Sequence, residues 1–441
     1  MEELDLASKI LDDIIDNDTS FNEALRKVFQ VETELRPLRK VVAALVGCEL
    51  RHSILFDFLT KDLQDFSVAE KRFVSLAFSD LYFVRRFAKE DIINALKTRL
   101  GDEKYSTIEE LVNKSDSTST LIPESLPKSS NRYLTLRYNT PEWVLKIWEH
   151  YGFGTTYKIL KKNNKPLVNS VRVRDVISEE ELLNTNDFHK TSVPGILTYT
   201  GKTALRKLPI MKDGKIFPLK AAAKALLDKY KVSEPSEVLL YNGNKDSSLS
   251  KEIIEQYGSR VGINLGVKSL ADHLDVSKLI KSLNLKNVNF FEADPLSMNA
   301  AISRPIDLAI AAPDSSNFDL IREQPDYLLH FKKDAMDALF QQEKDTLEGV
   351  SNFVAEKGKL IYMVFTISKK EGHNTINEFL LKHPEFHMVE EKQEFPFEEY
   401  DTALYYAVLE KDSNLAKDSG SLDILLSSAK QIESAASFGS K

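Results

Sequence analysis

EVLLYNGNKDSSLSKEIIEQYGSRVGINL, residues 237–265, decides the architecture of this chain. It opens on a short apolar run, EVLLY (237–241), and then turns at Asn242-Gly243-Asn244. SLSKEIIEQY follows with helical spacing, and RVGINL (260–265) is apolar again. Strand, helix and strand in so short a span imply parallel pairing through a crossover helix. The pattern repeats. NVNFF (287–291), IDLAIAA (306–312) and KLIYMVF (359–365) are further strand candidates, and FHMVEEK and ALYYAVL follow near the end. Helical stretches fill the gaps, notably VSKLIKSLN and the run from Tyr327 to Ala355. This alternation predicts a doubly wound, largely parallel α/β domain over 211–411.

Working outward, the character of the chain changes. Residues 1–114 carry apolar residues at helical spacing in LASKILDDII, KVVAALVGCELRHSILFDFL and RFVSLAFSDLYFVRRF, with Pro37 expected to begin a helix. An all-α domain is predicted there. SDSTSTLIPESLPKSS (115–130) has the composition of a linker. Residues 131–210 predict a small α+β unit, with Thr140-Pro141 opening a helix and LVNSVRVRD forming a strand that shows Arg172 and Arg174 on one face. The Ser-, Lys- and Ala-rich end, 412–441, is expected to be weakly ordered.

Charge singles out one region. Between Lys128 and Arg174, ten basic side chains face two acidic ones, a local balance of +8 in a chain of formal net charge -8. Seven aromatics lie among them: Tyr133, Tyr138, Trp143, Trp148, Tyr151, Phe153 and Tyr157. Cations hold phosphates and aromatic planes stack on unpaired bases, so RNA is the expected partner. The candidate RNA-binding residues are Arg132, Arg137, Lys158, Lys161, Lys162, Lys165, Arg172 and Arg174. A second basic stretch holds Lys202, Arg206, Lys207, Lys212 and Lys215. The plainer alternative is a solvated basic face with Trp143 and Trp148, five apart on one helix, packed inward. Helical cations including Arg36, Arg39, Arg51, Arg72 and Lys89 are open to the same two readings.

Other classes are disfavoured. No run approaches the roughly 18 to 20 apolar residues that cross a bilayer. A single cysteine, Cys48, excludes internal disulfides and a thiolate metal cluster, and the histidines lack metal-ligand spacing. The acidic start MEELDLASKI is unlike a signal peptide, so a cytoplasmic setting is expected.

The order of parts resembles the RsmB/Sun (Fmu) family of ribosomal RNA cytosine-C5 methyltransferases. The resemblance rests on LRKVVAALVGCELRHSILFDFL, on NRYLTLRYNTPEWVLKIWEHYG with KPLVNSVRVRD, and on IREQPDYL, whose Arg322, Pro325 and Asp326 match the family's Arg-x-x-Pro-Asp. It implies a NusB-like helical domain, an RNA-binding extension and a Rossmann-like class I methyltransferase domain using S-adenosylmethionine. A NusB-like domain also implies possible protein partners.

That chemistry adds a cysteine thiolate to cytosine C6, which makes C5 nucleophilic toward the cofactor's methyl group, and only a soft nucleophile does this readily. The family's cysteines stand in Asp-Ala-Pro-Cys and Thr-Cys-Ser; here those positions are Asp314 and Phe365. Cys48 lies in an apolar helical pattern elsewhere and reads as a core residue. The family's Gly-rich cofactor loop reads YNGNKDS, leaving Gly243; the Gln-Asp element before strand one reads Pro218-Leu219. Asn264 is taken as the replacement for the carboxylate ending strand two, and Asp294 alone keeps a family carboxylate. The expectation is an RNA-binding methyltransferase homologue without catalytic residues or a resident cofactor. Its alternatives are an S-adenosylmethionine-dependent enzyme with another target atom, and a protein-interaction scaffold.

Overall fold

A computed structural model describes residues 1–114, 121–165, 167–234 and 236–414. The chain forms two compact units, Met1–Leu167 with Leu320–Ala335, and Val168–Asp319 with Met336–Lys441. The stretch expected as one extension, 131–210, is thus parted after Leu167. Its helical half buries Leu136 in the helical core, whereas its strands pair onward to Ile216–Pro218, past the expected boundary. Residues 115–120 of the expected linker and 415–441 of the expected tail lie outside the described residues. Leu121 and Ile122 are no free tether; both are buried in the helical core.

The helical unit holds α1 (Glu2–Asp16), α2 (Phe21–Val31), α3 (Arg39–Thr60), α4 (Val68–Ser79), α5 (Lys89–Asn113), α6 (Asn131–Tyr138), α7 (Glu142–Trp148) and α8 (Phe153–Asn163). Helical spacing does the folding work: α1 buries Leu4, Ala7, Leu11 and Ile14 on one stripe. Ser67 and Glu70 form a reciprocal capping box at the start of α4. Pro37 sits inside a 3-10 turn, Thr33–Leu38, which runs into α3 rather than beginning it. Gly101 breaks α5 with φ 78° and ψ 163°, a conformation glycine adopts at little cost. The Arg-x-x-Pro-Asp stretch belongs to this unit. Buried Asp326 accepts the Phe21 N–H at 2.7 Å, supporting the start of α2, and meets His330 Nε2 at 3.3 Å.

The second unit has two sheets. The smaller, antiparallel, contains β1 (Asn169–Val173), β2 (Phe188–Lys190), β3 (Ile196–Tyr199) and β4 (Ile216–Pro218) in the order β2-β3-β1-β4. The larger contains β5 (Glu237–Asn242), β6 (Gly262–Val267), β7 (Val288–Glu292), β8 (Ile306–Ala312), β9 (Val354–Val364), β10 (Phe386–Glu394) and β11 (Leu404–Lys411). Its order is β10-β11-β9-β8-β5-β6-β7, parallel from β9 through β7. The antiparallel strand is β11, which pairs with both β9 and β10. The edge beyond it is formed by β10.

Alternation explains why these strands read as unbroken apolar runs. In β5, Val238 and Leu240 enter one core while Leu239 and Tyr241 enter the other. Leu308 and Ile310 of β8 oppose Ala309 and Ala311 in the same way. Both faces are covered, so both must be apolar. Among the described residues, no helix is long and apolar enough to cross a membrane.

Candidate functional site

Open α/β sheets bind ligands beyond the carboxyl ends of their strands, where the strand order reverses. In this sheet that point lies between β5 and β8. The loop after β5 and Pro313-Asp314 after β8 meet there directly. The Gly243 N–H donates to the Ala312 carbonyl at 2.8 Å, and the Asn244 side-chain amide donates to the Pro313 carbonyl at 3.0 Å. Asn242 closes the loop on itself, donating to the Asp246 carbonyl at 2.6 Å and accepting the Asn244 N–H at 3.2 Å. A Cβ on Gly243 would stand 2.8 Å from the Asp314 nitrogen and 3.0 Å from Pro313 Cα. Glycine is required here by the contact between the two loops, not by a turn conformation.

The neighbouring positions are also engaged. Asp294 is exposed after β7, and its carboxylate accepts the Leu296 N–H at 3.0 Å, capping the turn Pro295–Ala300. Asn264 does not end the second strand. The register places it opposite Leu239, inside β6, where its side chain accepts from Asn289 Nδ2 at 3.1 Å. Gly266 continues the strand past it, with the rings of Tyr241 and Phe291 packed where a Cβ would be. The residue after β6 is Lys268, whose ammonium donates to Gln342 Oε1 at 2.9 Å.

Past β8 and β9 lies a buried polar cluster. Ser316, Glu343, Thr366 and Glu371 are all fully buried. Glu371 accepts the Ser316 N–H at 2.6 Å, the Ser316 hydroxyl at 2.8 Å and the Thr366 hydroxyl at 2.6 Å, while the Tyr362 hydroxyl donates to its carbonyl at 2.7 Å. Burial, then the charge and hydrogen bond of Glu371, push the Glu343 carboxyl well above the ordinary range. Glu343 therefore favours its protonated form. Closed to solvent, this cluster holds a proton and ties two strand ends together; it presents no nucleophile to a ligand. Phe365 is half-buried beside it in sequence, and Asp314 accepts the Ser315 N–H at 3.1 Å. Cys48 is remote in sequence and in another unit, and burial pushes its thiol up to about 12.

The basic aromatic stretch resolves into distinct environments. Trp148 is fully buried, and Trp143 stacks on Phe331 with centroids 6.2 Å apart. Both tryptophans thus serve packing. Phe153, Tyr157 and Lys161 form a ladder along α8. Phe153 is 52% exposed and lies nearly parallel to Tyr157, with centroids 5.8 Å apart and planes at 14°. The Lys161 ammonium sits 4.6 Å from the Tyr157 centroid. Tyr138 meets Tyr157 edge-on at 6.0 Å. A hydrogen bond from Tyr138, then the charges of Lys161 and Arg137, lower the pKa of Tyr157. Arg137, Lys158, Lys161 and Lys165 are exposed, Lys162 is half-buried, and Arg132 lies 5.5 Å from the Phe58 centroid.

Arg172 and Arg174 are in the other unit, facing carboxylates. Arg172 donates from Nε to Glu252 at 3.0 Å, and Glu252 is completely buried with Lys224 at 3.4 Å on its other oxygen. Arg174 pairs with Glu255 at 2.6 Å. The expectation that both arginines share a face holds, but the helix Ser248–Tyr257 supplies their partners. No local signal tied those glutamates to a strand some eighty residues earlier; Arg172 and Glu252 are 80 apart. Similarly, Arg72 grips Asp12 and Asp16 at 2.6 and 2.7 Å. Lys202, Arg206, Lys207, Lys212 and Lys215 are exposed. The spacing of Phe153, Tyr157 and Lys161, four and four, was the one readable signal of the α8 ladder.

No protein-family model matches the chain. Its sequence is 23% identical over 277 residues to the probable ribosomal RNA small subunit methyltransferase B of Bacillus subtilis, covering 58% of this chain and 59% of that protein. The match therefore spans somewhat more than half of the relative's length. Among solved structures, PH0851 superposes with a TM-score of 0.69 at 18% identity, over 92% of this chain and 99% of that one. A methyltransferase homolog protein from Pyrococcus horikoshii gives a TM-score of 0.52 at 14% identity, over 63% and 97%. These structures share the fold; the sequence relative shares part of the sequence. With the strand order and the helical part preceding it, the chain is similar in sequence to a ribosomal RNA small subunit methyltransferase and shares the fold of these two structures.

Proposed function

We propose that this protein is an RNA-binding member of its family that has lost methyl transfer and acts on structured RNA, ribosomal RNA first, as an assembly or stabilising factor. One observation carries the loss: the Asn244 amide joins the loop after β5 to the Pro313 carbonyl, across the point where the sheet would receive its cofactor. S-adenosylmethionine does not fit the residues present. Lys268 follows the strand whose end the family furnishes with a carboxylate for ribose hydroxyls, and Asp294 is spent on a cap. Asp314 and Phe365 stand at the cysteine positions, and neither is a soft nucleophile. RNA binding is supported by the exposed Arg132, Arg137, Lys158, Lys161 and Lys165, with half-buried Lys162 and the exposed ring of Phe153 beside them. Arg172 and Arg174 are assigned to holding β1 against a helix instead.

Calorimetric titration with S-adenosylmethionine, with S-adenosylhomocysteine as control, tests the loss. No heat at high micromolar cofactor is expected. Stoichiometric micromolar binding would overturn it and favour methyl transfer to an atom that needs no cysteine, with Asp294 and Asp314 the first residues to vary.

A further inference from the structure

The aromatics of α8, exposed Phe153 and half-buried Tyr157, are arranged for something narrower than charge attraction. Phosphates need only cations, and a duplex keeps its bases stacked on one another, out of reach of a protein ring. Phe153 and Tyr157 offer two nearly parallel rings, one of them 52% exposed. An isolated exposed phenylalanine at a helix start is costly to keep and does nothing for the helix core; here Ile159 and Leu160 provide that. The glycines on either side leave the ring open: a Cβ at Gly152 or Gly154 would meet nothing within 4 Å. Gly152, at φ 81°, also turns the chain so that Phe153 begins a new helix. Lys161 covers the far end of the ladder at 4.6 Å from the Tyr157 centroid, with exposed Lys158 one turn from it.

We infer that Phe153 and Tyr157 form a stacking platform for unpaired bases, with Lys161 and Arg137 holding the adjoining phosphates, so that the ligand at this face is single-stranded RNA. The inference rests on the RNA-binding reading above and specifies the form of RNA. Each ring contributes by π-contact with any base, so the platform is tolerant of sequence and selective for strandedness.

The test uses the full chain and two probes, a short oligouridylate carrying one 2-aminopurine and an RNA hairpin closed by a non-nucleotide linker, so that every base is paired. Wild-type protein is expected to bind the single strand and quench its 2-aminopurine. Phe153→Ala, at an exposed position, should weaken single-strand binding on the order of tenfold, with Tyr157→Ala adding a similar factor. Tyr157→Phe keeps the ring and should bind as wild type; hairpin affinity should be unchanged in all three. Equal single-strand affinity and quenching in Phe153→Ala and wild type would overturn the platform while leaving RNA binding intact. So would a wild-type protein that binds the hairpin and not the single strand. A protein that binds neither probe would remove the RNA reading itself, and the platform with it.

Discussion

Glu343 shows how far a single side chain here departs from its ordinary chemistry. Its carboxyl is fully buried beside Glu371, and both burial and that neighbour favour the protonated form. A carboxyl raised in the folded state contributes stability that is fully present below its unfolded value, near 4.5, and is lost as pH rises toward the elevated folded value. Glu343→Gln mimics the protonated form without the titration. Thermal melts should therefore show little difference from wild type at pH 4.5 and a higher midpoint for the variant at pH 8, by several degrees at about 3 °C per kcal/mol. A pH dependence identical in the two proteins would place the proton elsewhere. At the same scale, Gly243 is fixed by the 2.8 Å approach of the Asp314 nitrogen, a constraint no reading of turn propensity supplies.

Elements are joined in this fold by buried charge as well as by apolar packing. Arg172 on β1 reaches Glu252 on the helix Ser248–Tyr257, and that carboxylate is wholly enclosed, with Lys224 as its other cation. Removing one partner leaves a buried charge short of compensation, which typically costs about 3–5 kcal/mol. Arg172→Ala should lower the denaturation midpoint of the sheet unit accordingly, seen by urea titration, while leaving RNA affinity unchanged. Loss of RNA affinity without loss of stability would return Arg172 to the RNA-contacting set. The helix α8 presents the opposite case. Its buried face is formed by Ile159 and Leu160, while Phe153 and Lys161 stand exposed on either side of half-buried Tyr157.

For the whole molecule, formal charge and local charge pull apart. The chain carries -8 overall, yet the segment proposed to meet RNA is strongly basic. If about five of its cations neutralise phosphates, the log–log dependence of affinity on salt should have a slope near -4. Charge reversal at Arg137, Lys158, Lys161 and Lys165 should flatten that slope, measured by fluorescence anisotropy over a salt series. A slope near zero in the wild type would remove this segment as the phosphate-binding face. The sheet is continuous from β5 to β11 whatever its loops hold, because the apolar strands that make the sheet are independent of the loops that make a site.

The sequence by itself determined the doubly wound sheet, the all-helical N-terminal part and the absence of both family cysteines, since periodicity and residue identity are local properties. It also disclosed the cations and rings of α6 and α8. Pairing was beyond it. Asn264 falls inside β6 and not at its end, because pairing with β5 carries the strand on to Val267. Arg172 and Arg174 were taken for phosphate ligands because Glu252 and Glu255 reach them only through the fold. The same holds for Glu343, Glu371, Ser316 and Thr366, drawn together from three separate stretches of chain. Which charges are buried, and which are already satisfied, depends on contacts between distant residues, and only the tertiary structure decided it.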